Sequence, residues 1–174
     1  MQPKIFKRYL AEIIYGGNDG IITTFAVVSG FSGATIMNDN TLKLSIGIVL
    51  LFGFANLFSD ALSMSIGNYL SKRAQSDLLQ DSSSKSIALK TSAVTFFSFI
   101  TFGILPLIPY IIGIEDAKLA FALSIFTTFI ALLLLGLLKG LVIRRKILSS
   151  IIETILIGGL AALVAFIVGI FFKV

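Results

Sequence analysis

Asn56-Leu-Phe-Ser-Asp60-Ala-Leu-Ser-Met64-Ser-Ile-Gly67-Asn68 lies inside the apolar stretch from Leu44 to Leu70. That stretch exceeds the roughly 20 mostly apolar residues a membrane helix needs, and reading it as such a helix decides the fold class. A charge at the bilayer centre costs at least about 2.5–3.5 kcal/mol on insertion scales, so Asp60, near the middle of the stretch, needs a reason to be there. Asn56, Asp60 and Met64 follow at i, i+4 and i+8, with Ser63 and Gly67 beside them, and Asn68 continues the series. On a helix they form one stripe that drifts by about 40° per step. A soft thioether one turn from a carboxylate suits a borderline transition metal such as Fe²⁺ better than Mg²⁺ or Ca²⁺, which favour all-oxygen sites. The plainer readings are gap-filling for Met64 and a structural hydrogen bond between helices for Asp60.

Composition agrees with the membrane reading. The 174 residues are 56% hydrophobic and 13% charged, with a mean hydropathy of +1.00. A typical soluble domain is about 45–50% apolar and about 25% charged, and at this length it buries only about 70% of its unfolded surface. A soluble enzyme is therefore disfavoured. Disorder is excluded, because it needs low hydrophobicity and high net charge. The chain has no Cys and no His, which removes disulfides, thiolate ligands, the usual general base and the commonest metal ligand. Any site must be built from carboxylates, amides, hydroxyls, thioethers and backbone carbonyls. No resident cofactor is expected.

Outward from the opening stretch, four more qualify as spans. The expected set is 13–37, 44–70, 87–114, 119–142 and 149–172, forming one all-α, five-helix transmembrane domain over 1–174. The first span is not read as a signal peptide, because its polar cluster precedes the apolar run and no A-x-A-like site follows. Lys4, Lys7, Arg8, Lys72, Arg73, Lys85, Lys90, Lys139, Arg144, Arg145 and Lys146 fall in the N-terminus and the second and fourth loops, and only Lys43, Lys118 and Lys173 on the other side. Cytoplasmic loops carry the excess positive charge, so the N-terminus is expected in the cytoplasm and the C-terminus outside. The net charge of +5 is read this way and not as a sign of nucleic-acid binding. The segment from Lys72 to Lys90, with Ser82, Ser83 and Ser84, is read either as a flexible connection or as an extension of the flanking helices.

The remaining acids near spans are Glu12, Asp19 and Glu153. Asp19 sits in Gly16-Gly17-Asn18-Asp19-Gly20, where three glycines in five residues weaken a helix and let other backbones approach. Asn18 and Asp19 read either as the lining of an ion path or as a helix cap at an interface. Glu153 in the first turn of the fifth span complements the helix dipole or supports a site. Glu12 is read as the partner of a nearby Lys or Arg. Pro106 and Pro109 should break the third span and free carbonyls for neighbours. Gly158, Gly159, Ala161, Ala162 and Ala165 give the fifth span a small face suited to close packing.

Four motifs in order resemble the vacuolar iron transporter family over nearly the whole chain. They are Tyr15-Gly-Gly-Asn-Asp-Gly-Ile-Ile-Thr-Thr-Phe-Ala-Val-Val-Ser-Gly-Phe-Ser-Gly-Ala34, Ala61-Leu-Ser-Met-Ser-Ile-Gly-Asn-Tyr-Leu-Ser71, Gly103-Ile-Leu-Pro-Leu-Ile-Pro-Tyr110 and Glu153-Thr-Ile-Leu-Ile-Gly-Gly-Leu-Ala-Ala162. The resemblance implies a homodimer of five-helix protomers that exports Fe²⁺, and often Mn²⁺, from the cytoplasm in exchange for protons. It implies an ion path at the dimer interface, lined by the first two helices, and carries pathway roles onto Asp19 and Met64. The chain departs from the family in two ways. The Glu-rich cytoplasmic domain between helices two and three is missing, as in the family's short members. The acidic position two turns before the methionine is Asn56, with Asp60 one turn on, and the triplet after the methionine reads Gly67-Asn68-Tyr69.

The expected function is proton-coupled export of a divalent transition metal through Asp19, Asp60 and Met64, with Asn18, Asn56 and Asn68 as neutral oxygens. A bacterial inner membrane is the expected location, with lipid, metal ions, protons and a second copy as partners. Two alternatives stand beside it. A transporter of another small cation would make Met64→Leu silent. A non-transporting scaffold or regulatory subunit would make Asp60→Asn a stability change with no flux to lose.

Overall fold

A computed structural model of the chain describes residues 4–35, 42–79, 84–143 and 146–172, and every regular element among them is helical. Met37, Ser82, Ser83, Arg144, Arg145 and Lys173 lie outside the described residues. The long helices are α1 (Lys4–Thr35), α2 (Leu42–Leu79), α3 (Ser84–Gly103), α5 (Ala117–Ile143) and α6 (Ile147–Phe171). Between α3 and α5 come a 3-10 turn at Leu105–Leu107 and the one-turn α4 (Ile108–Ile111).

Ile46–Leu79, Ser86–Ile111, Ala117–Ile143 and Ile147–Phe171 are long and apolar enough to cross a membrane. Among the described residues, length and composition thus qualify four stretches, not the five expected. The exception is α1. Its 32 residues span about 48 Å at about 1.5 Å each, but the Gly16–Gly20 cluster and the threonines after it lower its apolarity. Its place in the bundle explains this. α1 packs against α2, α3, α5 and α6 and buries Glu12, Thr24, Ser29 and Ser32. A helix enclosed by other helices meets protein rather than lipid, and its surface need not be apolar throughout.

Close contacts fix the relative directions. Gly16 lies against Thr95 and Gly20 against Phe99, so α1 and α3 run parallel. Ser29 donates to the Ala162 carbonyl at 3.2 Å, and Gly33 abuts Phe166, so α1 and α6 also run parallel. Gly136 meets Ile151 and Gly140 meets Ile147, so α5 runs back along α6. Phe31 packs on Phe52 while Glu12 pairs with Lys72, so α2 runs antiparallel to α1. The starts of α1, α3 and α6 and the ends of α2 and α5 therefore share one end of the bundle.

The glycine cluster in α1 does not break the helix; it lets α3 in. A Cβ on Gly20 would strike the Phe99 backbone, and one on Gly16 would come within 2.6 Å of the Thr95 carbonyl oxygen. Small residues permit such backbone contact between membrane helices. The small face expected on α6 divides: Gly158 packs against Leu132, while a Cβ on Gly159 would meet nothing within 4 Å.

The proline expectation holds. α3 ends at Gly103, and Pro106 and Pro109 lie in the 3-10 turn and in α4. The carbonyl of Pro106 accepts a 2.7 Å hydrogen bond from the buried Ser124 hydroxyl of α5, so a group freed by the break is satisfied by a neighbour. The Lys72–Lys90 segment is mainly helical extension. α2 runs on through Lys72, Arg73 and Asp77 to Leu79, and α3 starts at Ser84.

Candidate functional site: the groove between α1 and α2

On α1, Glu12, Tyr15, Asp19, Thr23, Ala26 and Gly30 recur at three- and four-residue steps and share one face of the helix. On α2 the opposing series is Asn56, Asp60, Met64, Asn68 and Lys72. The antiparallel packing brings the two series together along a groove with a cavity at each end. Asp19 and Asp60, both half-buried, lie in the middle, close enough for their charges to interact. Among the described residues no cationic side chain pairs with either.

At the basic end of the bundle a cavity of about 390 Å³ is lined by Glu12, Tyr15, Met64, Asn68 and Lys72. Met64 serves two surfaces, because it also packs against the core cluster of Leu57, Ala61 and Phe99. Gap-filling and cavity lining are thus both true of it. Asn68 is held in one orientation. The Thr95 hydroxyl donates to the Thr91 carbonyl at 3.0 Å and so accepts from Asn68 Nδ2 at 2.7 Å. With its nitrogen so engaged, the amide oxygen of Asn68 is the acceptor end of the side chain, on a residue that lines the cavity.

At the opposite end a cavity of about 610 Å³ lies between α1, α2 and α6, walled by Phe31, Phe52 and Gly30, with Asn56 and Ser59 as its polar groups. Asn56 Nδ2 is buried without a partner. It presents a donor as well as an oxygen, so Asn56 does not restore the carboxylate expected there.

Two expected roles change. Asn18 and Asp19 lie deep within the 32-residue α1, which removes the helix-cap reading. Asn18 lies about 100° around the helix from Asp19 and lines neither cavity; Asp19 and Asp60 also lie between the two cavities and line neither. Glu153 is not in a first turn, because α6 begins at Ile147 and carries no acid there. It instead accepts a 3.1 Å hydrogen bond from Lys139 Nζ of α5, and it lines neither cavity.

Glu12 does pair with a lysine, one from α2. Lys72 Nζ lies 3.8 Å from Glu12 Oε1, while Glu12 Oε2 is buried with no partner among the described residues. The signal available in the sequence was spacing, since Glu12 stands seven residues before Asp19 and hence on the same helix face. Tyr15 and Lys72 share that spacing, four residues before Asp19 and four after Asn68, but only packing shows that they and Ser59 reach the cavities. Among the described residues no group of three or more acidic, His or Cys side chains is placed to hold a metal ion. One chain therefore brings two central carboxylates and no closed metal cage.

The chain matches the model of the VIT family over residues 10–88 and 79–170, two pieces that meet where α2 gives way to α3. It is 26% identical to the "Vacuolar iron transporter" of Plasmodium berghei (strain Anka), over 96% of this chain and 83% of that protein. With the "Vacuolar iron transporter" of Centaurea cyanus it shares 24% identity, over 89% of this chain and 84% of that protein. A shorter match, 40% identical over 72 residues, joins it to the "Vacuolar iron transporter" of Toxoplasma gondii (strain ATCC 50861 / VEG). These names are those of transporters and not of enzymes. They are also eukaryotic and vacuolar, which lends no support to a bacterial inner membrane. With the family model covering nearly the whole chain and in agreement with the helical membrane architecture, this protein belongs to the VIT family.

Proposed function

We propose that this chain carries a divalent transition metal ion, Fe²⁺ first among them and Mn²⁺ as a second cargo, out of the cytoplasm in exchange for protons. The observation that carries the reading is the Asp19–Asp60 pair: two carboxylates in mutual electrostatic reach, with no cationic partner among the described residues, at the centre of a membrane-helix groove. Such charges are expensive within a bilayer and mark ion pathways. The names of the relatives support iron as cargo.

The groove runs from the Met64–Asn68 cavity past Asp19 and Asp60 to the Asn56 cavity. Carboxylates and the Asn68 oxygen supply hard donors, and the Met64 thioether supplies the soft one that favours Fe²⁺ over Mg²⁺. Carboxylates crowded in a low dielectric exchange protons against a metal ion. Glu153, occupied by Lys139, stands outside the path.

A second copy completes the site. Two chains facing each other across their α1–α2 grooves bring up to four carboxylates to one axis and cover part of α2, whose apolar window is only 22% buried within one chain. α1 is then the fifth crossing. It runs parallel to α3 and α6, and Arg8, Lys72, Arg73, Lys139 and Lys146 gather at the shared end, which supports a cytoplasmic N-terminus. The relatives' extra length is consistent with a cytoplasmic insertion at residues 79–88, which this chain lacks. The alignment with the Plasmodium berghei protein runs over 235 positions and takes in 96% of these 174 residues, so at least 61 positions have no counterpart here.

The test is Fe²⁺ uptake into proteoliposomes under an imposed pH gradient. The unmodified chain should accumulate Fe²⁺ and move protons in the opposite direction, and Asp19→Asn and Asp60→Asn should each stop both fluxes while leaving helix content unchanged. Uptake unaffected by both substitutions refutes the assignment.

A further inference from the structure

Lys72 and Glu12 form an ion pair with an incomplete geometry. At 3.8 Å the contact is longer than a charge-assisted hydrogen bond, which closes at about 2.7–2.9 Å. Glu12 is only 8% exposed, and its second oxygen is buried with no partner among the described residues. A structural bridge at such a position normally satisfies both oxygens, because an under-bonded buried carboxylate is costly. This one instead lines a cavity of about 390 Å³ together with Met64 and Asn68, whose amide nitrogen is held by Thr95. An anion, an amide oxygen and a thioether thus share one open space, with an ammonium group as the only cation beside them among the described residues.

Lys72 is built to leave. Its side chain is 41% exposed, and it lies at the basic end of the bundle, where a flexible four-carbon stem carries its charge readily into water. A divalent ion reaching the cavity brings twice the charge to the same carboxylate.

We propose that Lys72 is a tethered cation that occupies Glu12 when the cavity is empty, and that it must be displaced before a divalent metal ion binds at the cytoplasmic mouth of the groove. Lys72 is then a positioning residue: it touches no cargo, sets the metal concentration at which the mouth loads, and keeps the buried carboxylate compensated between cycles. The inference rests on the transport reading for the direction of loading, and on the Glu12 geometry alone for the competition.

The test is binding of Mn²⁺ alone to the purified full chain in detergent, read from the loss of the free-ion EPR signal, with Fe²⁺ uptake measured in parallel. Removing a competing charge of this exposure should lower the half-saturating Mn²⁺ concentration roughly fivefold in Lys72→Gln. Lys72→Arg should stay within about twofold of the unmodified chain, since the charge is kept. In a Glu12→Gln background Lys72→Gln should change nothing. Lys72→Met, which keeps the apolar stem, serves if Lys72→Gln fails to fold. Half-saturation that is unchanged or raised on loss of the lysine charge overturns the proposal, because a merely structural bridge would lower stability without tightening metal binding. Absence of Fe²⁺ uptake by the unmodified chain would refute the transport reading instead, and the Mn²⁺ isotherms would still decide the role of Lys72.

Discussion

Gly20→Ala isolates the contact that places Asp19. A Cβ at Gly20 would meet the backbone of Phe99, with its carbonyl carbon at 3.0 Å and its Cα at 3.1 Å, and the nearest atom is the Phe99 carbonyl oxygen. None of these belongs to a side chain that can rotate away, so α1 and α3 must part. A gap of about 0.5–1 Å already forfeits a quarter to a half of each dispersion contact along the seam, and overpacking of this kind costs about 1–3 kcal/mol. Gly159→Ala is the matched control, because a Cβ there meets nothing within 4 Å. Both substitutions gain about 1 kcal/mol of helix propensity. With backbone as the obstacle the upper cost applies at Gly20, so the two variants should differ by about 3 kcal/mol. At about 2–4 °C per kcal/mol for a chain of this size, Gly20→Ala should melt about 6–12 °C below Gly159→Ala when followed by far-UV circular dichroism in detergent, a probe suited to a chain without Trp. Equal melting temperatures, or the reverse order, would show that α1 and α3 do not touch along the glycine seam.

Three further outcomes follow from single contacts. Ser124→Ala removes the 2.7 Å hydrogen bond to the Pro106 carbonyl and leaves a buried acceptor unpaired, so denaturant titration should register a loss of about 1–3 kcal/mol. Met64→Leu keeps the packing against Leu57 and Phe99 but removes the soft donor. Competition assays should then show Fe²⁺ uptake losing its advantage over Mg²⁺ with little change in stability, and unchanged selectivity refutes a ligand role for the sulfur. Glu153→Gln breaks a half-exposed pair with Lys139 outside the groove, so Fe²⁺ flux should stay close to that of the unmodified chain, and its abolition would return Glu153 to the path.

Much of the site was legible because helical periodicity is local. The stripe Asn56–Asp60–Met64–Asn68 follows from spacing alone, and Pro106 announces the break after Gly103 by removing a backbone donor. Asn18 and Asp19 were ambiguous for an equally physical reason. A glycine-rich cluster with two capping residues looks the same at a helix start and at a tight crossing, and only the Phe99 backbone lying against Gly20 decides between them. Glu153 was misplaced because α6 starts at Ile147, before the apolar run that marked it. Glu12 pairs with a lysine as its setting suggested, and that lysine comes from the far end of α2.

Composition and periodicity by themselves determined a helical membrane protein without thiol or imidazole chemistry, because apolar content and the 3.6-residue repeat act within one segment. The tertiary structure decided what depends on contact between segments. It put the least apolar long helix at the centre, where protein replaces lipid as its surroundings. It brought Asp60 of α2 within electrostatic reach of Asp19 and turned Asn68 with the Thr95 hydroxyl. It also brought Lys72 to a buried carboxylate sixty residues earlier in the chain, a meeting that no local pattern encodes because it depends on how two antiparallel helices pack.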